Sequence, residues 1–320
     1  MAIPIATSIA PRNIDLQKDA ISSWLQLGFK VFSVNSKNEI EQIKEHFPNV
    51  MFKETKRDAS SITGRPFIFL DDIFEVLHSS SAEVCAIINS DIYLDSDSEF
   101  QNFITNQVQE GLLFGSRFDV ENLSTLEGQE FYPGYDYFFF SRSLIKEFIK
   151  TDFCLGVPWW DHWLPLYSIL KKLPTKQLLS PVAYHAEHPL RWNMRYMSEF
   201  GEKLVGYLME ADFNNIIDSD LMTRITISKR KSDYGLLANS IVGFIRRETE
   251  KVFYHSADEK MKNKSGSCLD CHLRELELKY YRDKENQRES YLEKELLKMR
   301  LSLSWRITAP LRKIYDIINN

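Results

Sequence analysis

The chain is expected to fold as an α/β protein, with a mostly parallel sheet flanked by helices and a helical or coiled-coil extension at the C-terminus. From Ile3 to Val120, strand-like apolar runs alternate with segments of helical spacing, a pattern that implies βαβ units with right-handed crossovers. One run, Val84 to Ile88, is apolar throughout, as a strand covered on both faces is. Leu269, Leu273, Leu276 and Tyr280, then Leu292, Leu296, Met299 and Leu303, follow 4-3-4 spacing around the polar stretch Arg282 to Glu289. That spacing predicts a long charged helix with a break in register.

Each element has its own signal. Ile3 to Ile9 is a strand ending before Pro11. Asp15 to Leu27 is a helix, with Leu16, Ala20, Ile21, Trp24 and Leu27 on one face and Asn13 or Asp15 as cap. Gly28 closes it. Lys30 to Val34 is a second strand, Asn38 to His46 a second helix and Val50 to Lys53 a third strand. Pro66 to Leu77 reads as helix, since Phe69, Ile73, Val76 and Leu77 share a face. After the strand Val84 to Ile88 come a helix, Glu99 to Gln109, and a strand, Gly111 to Phe118. Beyond Val120 a loop runs to Gly134, followed by the aromatic strand Tyr135 to Ser141 and a short helix, Ser143 to Lys150. Pro158 sits in the first turn of a helix reaching Lys172, which Pro165 should kink or break. Leu178 to His185 is expected as the last strand, and Glu199 to Phe213 as helix. These readings divide the chain into a main α/β domain over 1–215, a connecting helical region over 216–267, and the charged helix with its tail over 268–320.

Bulk properties remove several classes. The 320 residues are 43% hydrophobic and 27% charged, with 40 basic and 45 acidic side chains and a net charge of −5. A packed core is expected, and nucleic-acid binding is not. The first residues carry neither a basic n-region nor a long apolar h-region, and no stretch has the length of a bilayer span. Four cysteines are too few and scattered for a disulfide scaffold, so a reduced, cytoplasmic protein is expected. Cys268-Leu269-Asp270-Cys271-His272 matches a haem-attachment string, but attachment needs export, so the match is read as coincidence. Trp305 to Tyr315 mixes aromatic, aliphatic and basic residues, a composition that suits peripheral contact with an anionic membrane surface. Self-association through the charged helix is the other expected interaction.

The tripeptide Asn89-Ser90-Asp91 follows the buried apolar run. A buried strand ending in polar residues delivers them to the carboxyl edge of the sheet, where open α/β folds bind ligands. Asp91 there suits a divalent cation, and such a cation suits a diphosphate. Arg117, at another strand end, and Arg65, with Lys56 and Arg57, are further phosphate candidates through the guanidinium fork.

The span from Ile3 to Val120 with its Asn89-Ser90-Asp91 strand end resembles the nucleotide-diphospho-sugar transferase fold called GT-A, over roughly two-thirds of the chain. In that family an Asp-x-Asp motif holds Mn²⁺ or Mg²⁺ against the donor diphosphate. The resemblance implies that Asp91 is the metal ligand, and Asn89, standing where a first carboxylate is usual, bonds ribose or phosphate. It implies a general base at Asp161 in Trp159-Trp160-Asp161-His162-Trp163, with Trp159 and Trp160 as stacking faces for sugar and His162 as a bystander. A histidine completing the metal shell would be His185, or His188 in reserve. Asp136 would accept hydrogen bonds from sugar hydroxyls. The tail Ser302 to Arg312 looks like the segment that ends many bacterial surface-polysaccharide glycosyltransferases. Together these imply sugar transfer from a nucleotide sugar to a saccharide acceptor, in cell-surface polysaccharide synthesis. An inactive scaffold that keeps the sheet is the alternative, which the missing first carboxylate favours. A nucleotidyltransferase would carry a glycine-rich loop after the first strand, and Ala10-Pro11-Arg12-Asn13 has no glycine.

Overall fold

The computed structural model describes residues 2–186, 194–210, 217–231 and 234–256. They fall in one compact unit, Met1–Ser256, which takes in most of the segment expected as a connecting region. The charged helix, the Cys268 to His272 string, the terminal tail and His188 lie outside the described residues.

In chain order the elements are β1 (Pro4–Thr7), α1 (Ile14–Gln26), β2 (Lys30–Asn35), α2 (Lys37–Ile43), β3 (Met51–Glu54), α3 (Ser60–Thr63), α4 (Leu70–His78), β4 (Val84–Ile88), β5 (Tyr93–Leu94), α5 (Phe100–Val108), β6 (Leu112–Gly115), β7 (Phe118–Val120), β8 (Gly128–Glu130), β9 (Tyr137–Ser141), α6 (Trp160–Leu170), β10 (Thr175–Leu178), β11 (Ala183–Ala186), α7 (Met194–Glu210), α8 (Ser219–Lys231), α9 (Gly235–Glu248) and β12 (Glu250–Val252). The main sheet has the order β12-β10-β6-β9-β4-β1-β2-β3, and a second sheet has the order β5-β11-β7-β8.

Main-sheet neighbours are parallel except β9, which runs antiparallel between β4 and β6. The sheet is therefore mostly parallel, as expected, with one reversed strand that strand–helix alternation does not reveal. Side chains alternate across it with the two-residue period of a strand. Val84, Ala86 and Ile88 of β4 and Phe139 of β9 pack with α1 and α5 residues such as Trp24 and Phe100. Cys85, Ile87, Phe138 and Phe140 pack on the other side with α4, α6 and α9.

Several boundaries differ from the sequence reading. Gly111 to Phe118 divides into β6 and β7, and Leu178 to His185 into β10 and β11, each pair split between the two sheets. Pro181 lies in the second break and has no amide to give a ladder. Residues 66–69 are not helical; Phe69 instead bridges to Cys154. Asn13 is the N-cap of α1 but makes no side-chain cap bond, because its backbone is left-handed at φ 47°. Pro165 does not end α6, which runs on to Leu170. Its ring lacks the amide that would have bonded the Asp161 carbonyl one turn back. No helix among the described residues is long and apolar enough to cross a membrane.

Candidate functional site

The turn that carries Asp91 is fixed from both sides. Ile92 N–H closes it onto Asn89 O at 3.1 Å. Ser90 Oγ donates to Gln17 Oε1 of α1 at 2.8 Å, and the Trp24 indole N–H donates to Ile92 O at 2.8 Å. Gln17 also receives Ala10 N–H at 2.9 Å, so the loop after β1 and the turn after β4 share one anchor. Within this frame the Asp91 side chain keeps 33% of its surface exposed.

His185 faces it from the second sheet, with Nε2 at 3.6 Å from Asp91 Oδ2. Its Nδ1 lies 3.0 Å from Asp119 Oδ1, and the two residues are register partners on β11 and β7. An ionised carboxylate only accepts, so Nδ1 carries the proton and Nε2 is the nitrogen turned to Asp91. Burial opposes a charge on this ring, but its bonds to Asp119 and Asp91 outweigh burial and lift its pKa to about 9.

Arg117 joins this corner to the rest of the site. Its Nε donates to Asp119 Oδ1 at 2.7 Å and its Nη1 to Asp136 Oδ1 at 3.0 Å. The guanidinium also lies 4.0 Å from the Phe131 ring centre. Asn89 Nδ2 donates to the same Asp136 oxygen at 2.9 Å. Asp136 precedes β9, whose reversed direction starts it at the edge where its neighbours end. Its carboxyl is only 6% exposed; burial raises its pKa, with Arg117 opposing. Its Oδ2 is buried and meets no donor among the described residues.

These contacts engage three residues that were expected to meet substrate. Asp136 is a buried hub. Arg117 spends two nitrogens on Asp119 and Asp136, and Asn89 gives its amide to Asp136. Arg65 lies on an exposed bend after α3.

Asp161 stands in the first turn of α6, where an acid suits the helix dipole. Tyr135 N–H donates weakly to its Oδ2 at 3.4 Å, and its Oδ1 lies 3.0 Å from His162 Nδ1. Trp159 and Trp160 are 0% and 2% exposed, so core packing takes the faces that were expected to stack on sugar. The Trp159 indole donates to Met197 O at 2.9 Å. Its backbone is left-handed at φ 88°, a conformation costing on the order of 1–3 kcal/mol that the surrounding packing must hold.

Asp119 and Arg246 were missed from the sequence, and His162 was set aside as a bystander. Arg246 of α9 pairs with Glu130 Oε1 at 2.7 Å, bonds Ser116 Oγ at 3.2 Å and lies 4.2 Å from the Tyr132 ring centre. It locks the β8 end beside Ser116. A signal existed for Asp119: Arg117-Phe118-Asp119 puts two opposite charges two residues apart, on one side of a strand. Arg246 had none, because its partners are remote in sequence, whereas His162 bonds both its neighbour Asp161 and a carbonyl 29 residues away.

Among the described residues no group of three or more His, Cys, Asp or Glu is arranged to hold a metal ion. Asp91 and His185 offer two ligands, oxygen and imidazole nitrogen. Two shallow hollows border α1, and neither contains a residue of this network.

No protein-family profile matches the chain, and no curated protein matches it. Solved structures do. S. aureus TarS, residues 1–349, is 12% identical with a TM-score of 0.44, over 72% of this chain and 71% of that one. The mannosyltransferase PcManGT from Pyrobaculum calidifontis, in complex with GDP-Man and Mn²⁺, is 10% identical with a TM-score of 0.44, over 97% of this chain and 84% of that one. Glucosyl-3-phosphoglycerate synthase from Mycobacterium tuberculosis, with Mg²⁺ and UDP, is 14% identical with a TM-score of 0.40, over 68% and 81%.

Proposed function

We propose that this chain is a glycosyltransferase that moves a sugar from a nucleotide diphosphate sugar to a saccharide acceptor. The observation that carries the reading is Asp91 Oδ2 facing His185 Nε2 at 3.6 Å, with Asp119 bonded to the other ring nitrogen. A small divalent cation bonds its ligands at about 2.1 Å, so one ion could touch both atoms. A carboxylate behind a metal-bound histidine is the usual means of fixing its tautomer. Two protein ligands leave the remaining positions to phosphate oxygens and water, as in sites completed by substrate. The imidazole favours a transition ion such as Mn²⁺ over Mg²⁺. Held there, the ion would neutralise charge on the departing diphosphate.

The chain's own groups do the rest. Arg117 holds Asp119 and Asp136 in place, and through Asp119 it steadies His185. Asp161 Oδ2 takes the proton of the acceptor hydroxyl as that oxygen attacks the anomeric carbon. Attack opposite the leaving group inverts that carbon. The sequence resemblance of the tail Ser302 to Arg312 supports a cell-surface glycan as acceptor.

The test is thermal melting of the full chain with UDP or GDP, with and without Mn²⁺, alongside nucleotide release from a panel of nucleotide sugars. A Mn²⁺-dependent rise in melting temperature that Asp91→Ala abolishes supports the reading. If no donor is turned over and Asp91→Ala alters no ligand binding, the inactive-scaffold alternative stands.

A further inference from the structure

His162 carries more than its place beside Asp161 suggests. Its Nε2 lies 2.9 Å from the carbonyl oxygen of Pro133. A carbonyl only accepts, so that nitrogen bears a proton. Its Nδ1 lies 3.0 Å from Asp161 Oδ1. A ring with an acceptor at each nitrogen satisfies both when it is doubly protonated. The ring is 8% exposed and held between Trp159, at 5.5 Å between ring centres, and Tyr135, at 6.3 Å. The Asp161 carboxyl is thereby gripped by one oxygen. Its other oxygen accepts a long bond from Tyr135 N–H, and 17% of the side chain stays open.

We propose that His162 is a positioning residue: its imidazolium bridges Pro133 O and Asp161 Oδ1 and so turns Asp161 Oδ2 toward the acceptor hydroxyl. The inference rests on the reading of Asp161 as general base. In the step, the Oδ2 lone pair takes the hydroxyl proton and the acceptor oxygen bonds to the anomeric carbon. The bond from that carbon to the diphosphate breaks, and its electron pair leaves on the diphosphate. Asp161 becomes a neutral acid beside the unchanged imidazolium and returns its proton to water.

The electrostatics agree. Burial favours the neutral ring, but Asp161, the Pro133 carbonyl and Asp136 outweigh it and raise the His162 pKa. Burial likewise favours neutral Asp161, but His162 and the Tyr135 amide outweigh it and hold the carboxyl below its usual range. The Tyr135 ring packs edge-on against His162, and Asp136 before β9, itself bonded to Arg117, also acts on the pair. The cation beside Asp161 is therefore His162 itself.

Two measurements on the full chain test this. Ring-nitrogen NMR of His162, assigned through its own backbone amide, should show both nitrogens protonated at pH 7.5, and Asp161→Asn should return the ring to neutral. A neutral ring in the native chain at pH 7 overturns the inference. The second is the pH dependence of kcat/KM for nucleotide release from UDP-glucose, UDP-N-acetylglucosamine and GDP-mannose with Mn²⁺. His162→Gln should move the acid limb up by about one pH unit or more, since the buried carboxylate loses its cation. It should lower kcat about tenfold while the donor KM stays within about twofold. Asp161→Asn with full turnover would sink the base reading itself. Asp161→Asn inactive, with the acid limb of His162→Gln unmoved, sinks the positioning role alone. No turnover of any donor sinks both.

Discussion

Gly134 lies against Asp161: a Cβ added at Gly134 would come within 2.6 Å of Asp161 Oδ2. The glycine leaves room for the one oxygen that His162 does not hold. Gly134→Ala should therefore swing the carboxyl off its position while barely touching the core. Donor turnover should fall about 100-fold, as a misplacement near 1 Å can cause. The melting temperature should stay within about 2 °C of native, the effect of about 1 kcal/mol. A variant with full turnover would show that Asp161 does not act from this position.

Asp119 should matter to the metal without touching it. Asp119→Asn should weaken the Mn²⁺ response about 10- to 100-fold, the usual effect of removing a carboxylate behind a ligating histidine. Asp91→Ala and His185→Ala should abolish it. Mn²⁺ titrations followed by melting temperature in the presence of UDP or GDP give the comparison.

Arg117 compensates two carboxylates in a largely buried setting. Arg117→Met should destabilise the fold by about 3 kcal/mol, because Asp136 is left charged and unpaired. Asp136→Asn in the same chain should recover part of that loss. Chemical denaturation of the single and double variants measures the coupling. Additive losses would mean that Arg117 acts elsewhere.

The His162 and Asp161 pair also gives the fold a pH dependence. His162 has a raised pKa in the folded chain, so its contribution is complete below the ordinary histidine value and is lost as pH rises through the folded one. Asp161 has a lowered pKa, so its contribution is present above the ordinary aspartate value and is lost as pH falls through the folded one. Relative to His162→Gln, the native chain should be most favoured between those limits and lose its advantage at both ends. Melting curves from pH 3 to 9 check this.

Stability alone should suffer at Gly111, where a Cβ would meet the Pro174 carbonyl oxygen at 2.1 Å. That neighbour is backbone and cannot swing aside. Gly111→Ala should cost about 1–3 kcal/mol, read as a lower denaturation midpoint with Mn²⁺ binding intact once folded.

The outline of the fold was legible because burial on both sheet faces writes itself into runs such as Val84 to Ile88. The reversed strand was not, because Tyr137 to Ser141 would be equally apolar in either direction. The turn holding Asp91 was legible from its place after a buried strand. The environment of its neighbours was not. Tryptophans beside an acid read the same whether they face a sugar or a core, and only the position of α7, whose Met197 carbonyl takes the Trp159 N–H, decides it. His162 depends on a carbonyl 29 residues away, and no local pattern records such a meeting.

β9 lies between β4 and β6 and pairs with both. It is the seam between a half-sheet of β3, β2, β1 and β4 and another of β6, β10 and β12. In the main sheet the two halves are joined through this strand. Asp136 sits at the mouth of the seam, bonded to Asn89 from one half and to Arg117 just past β6 of the other. The corner around Asp136 therefore depends on β9: Asn89 and Arg117 meet at one carboxylate only where this strand joins the two halves.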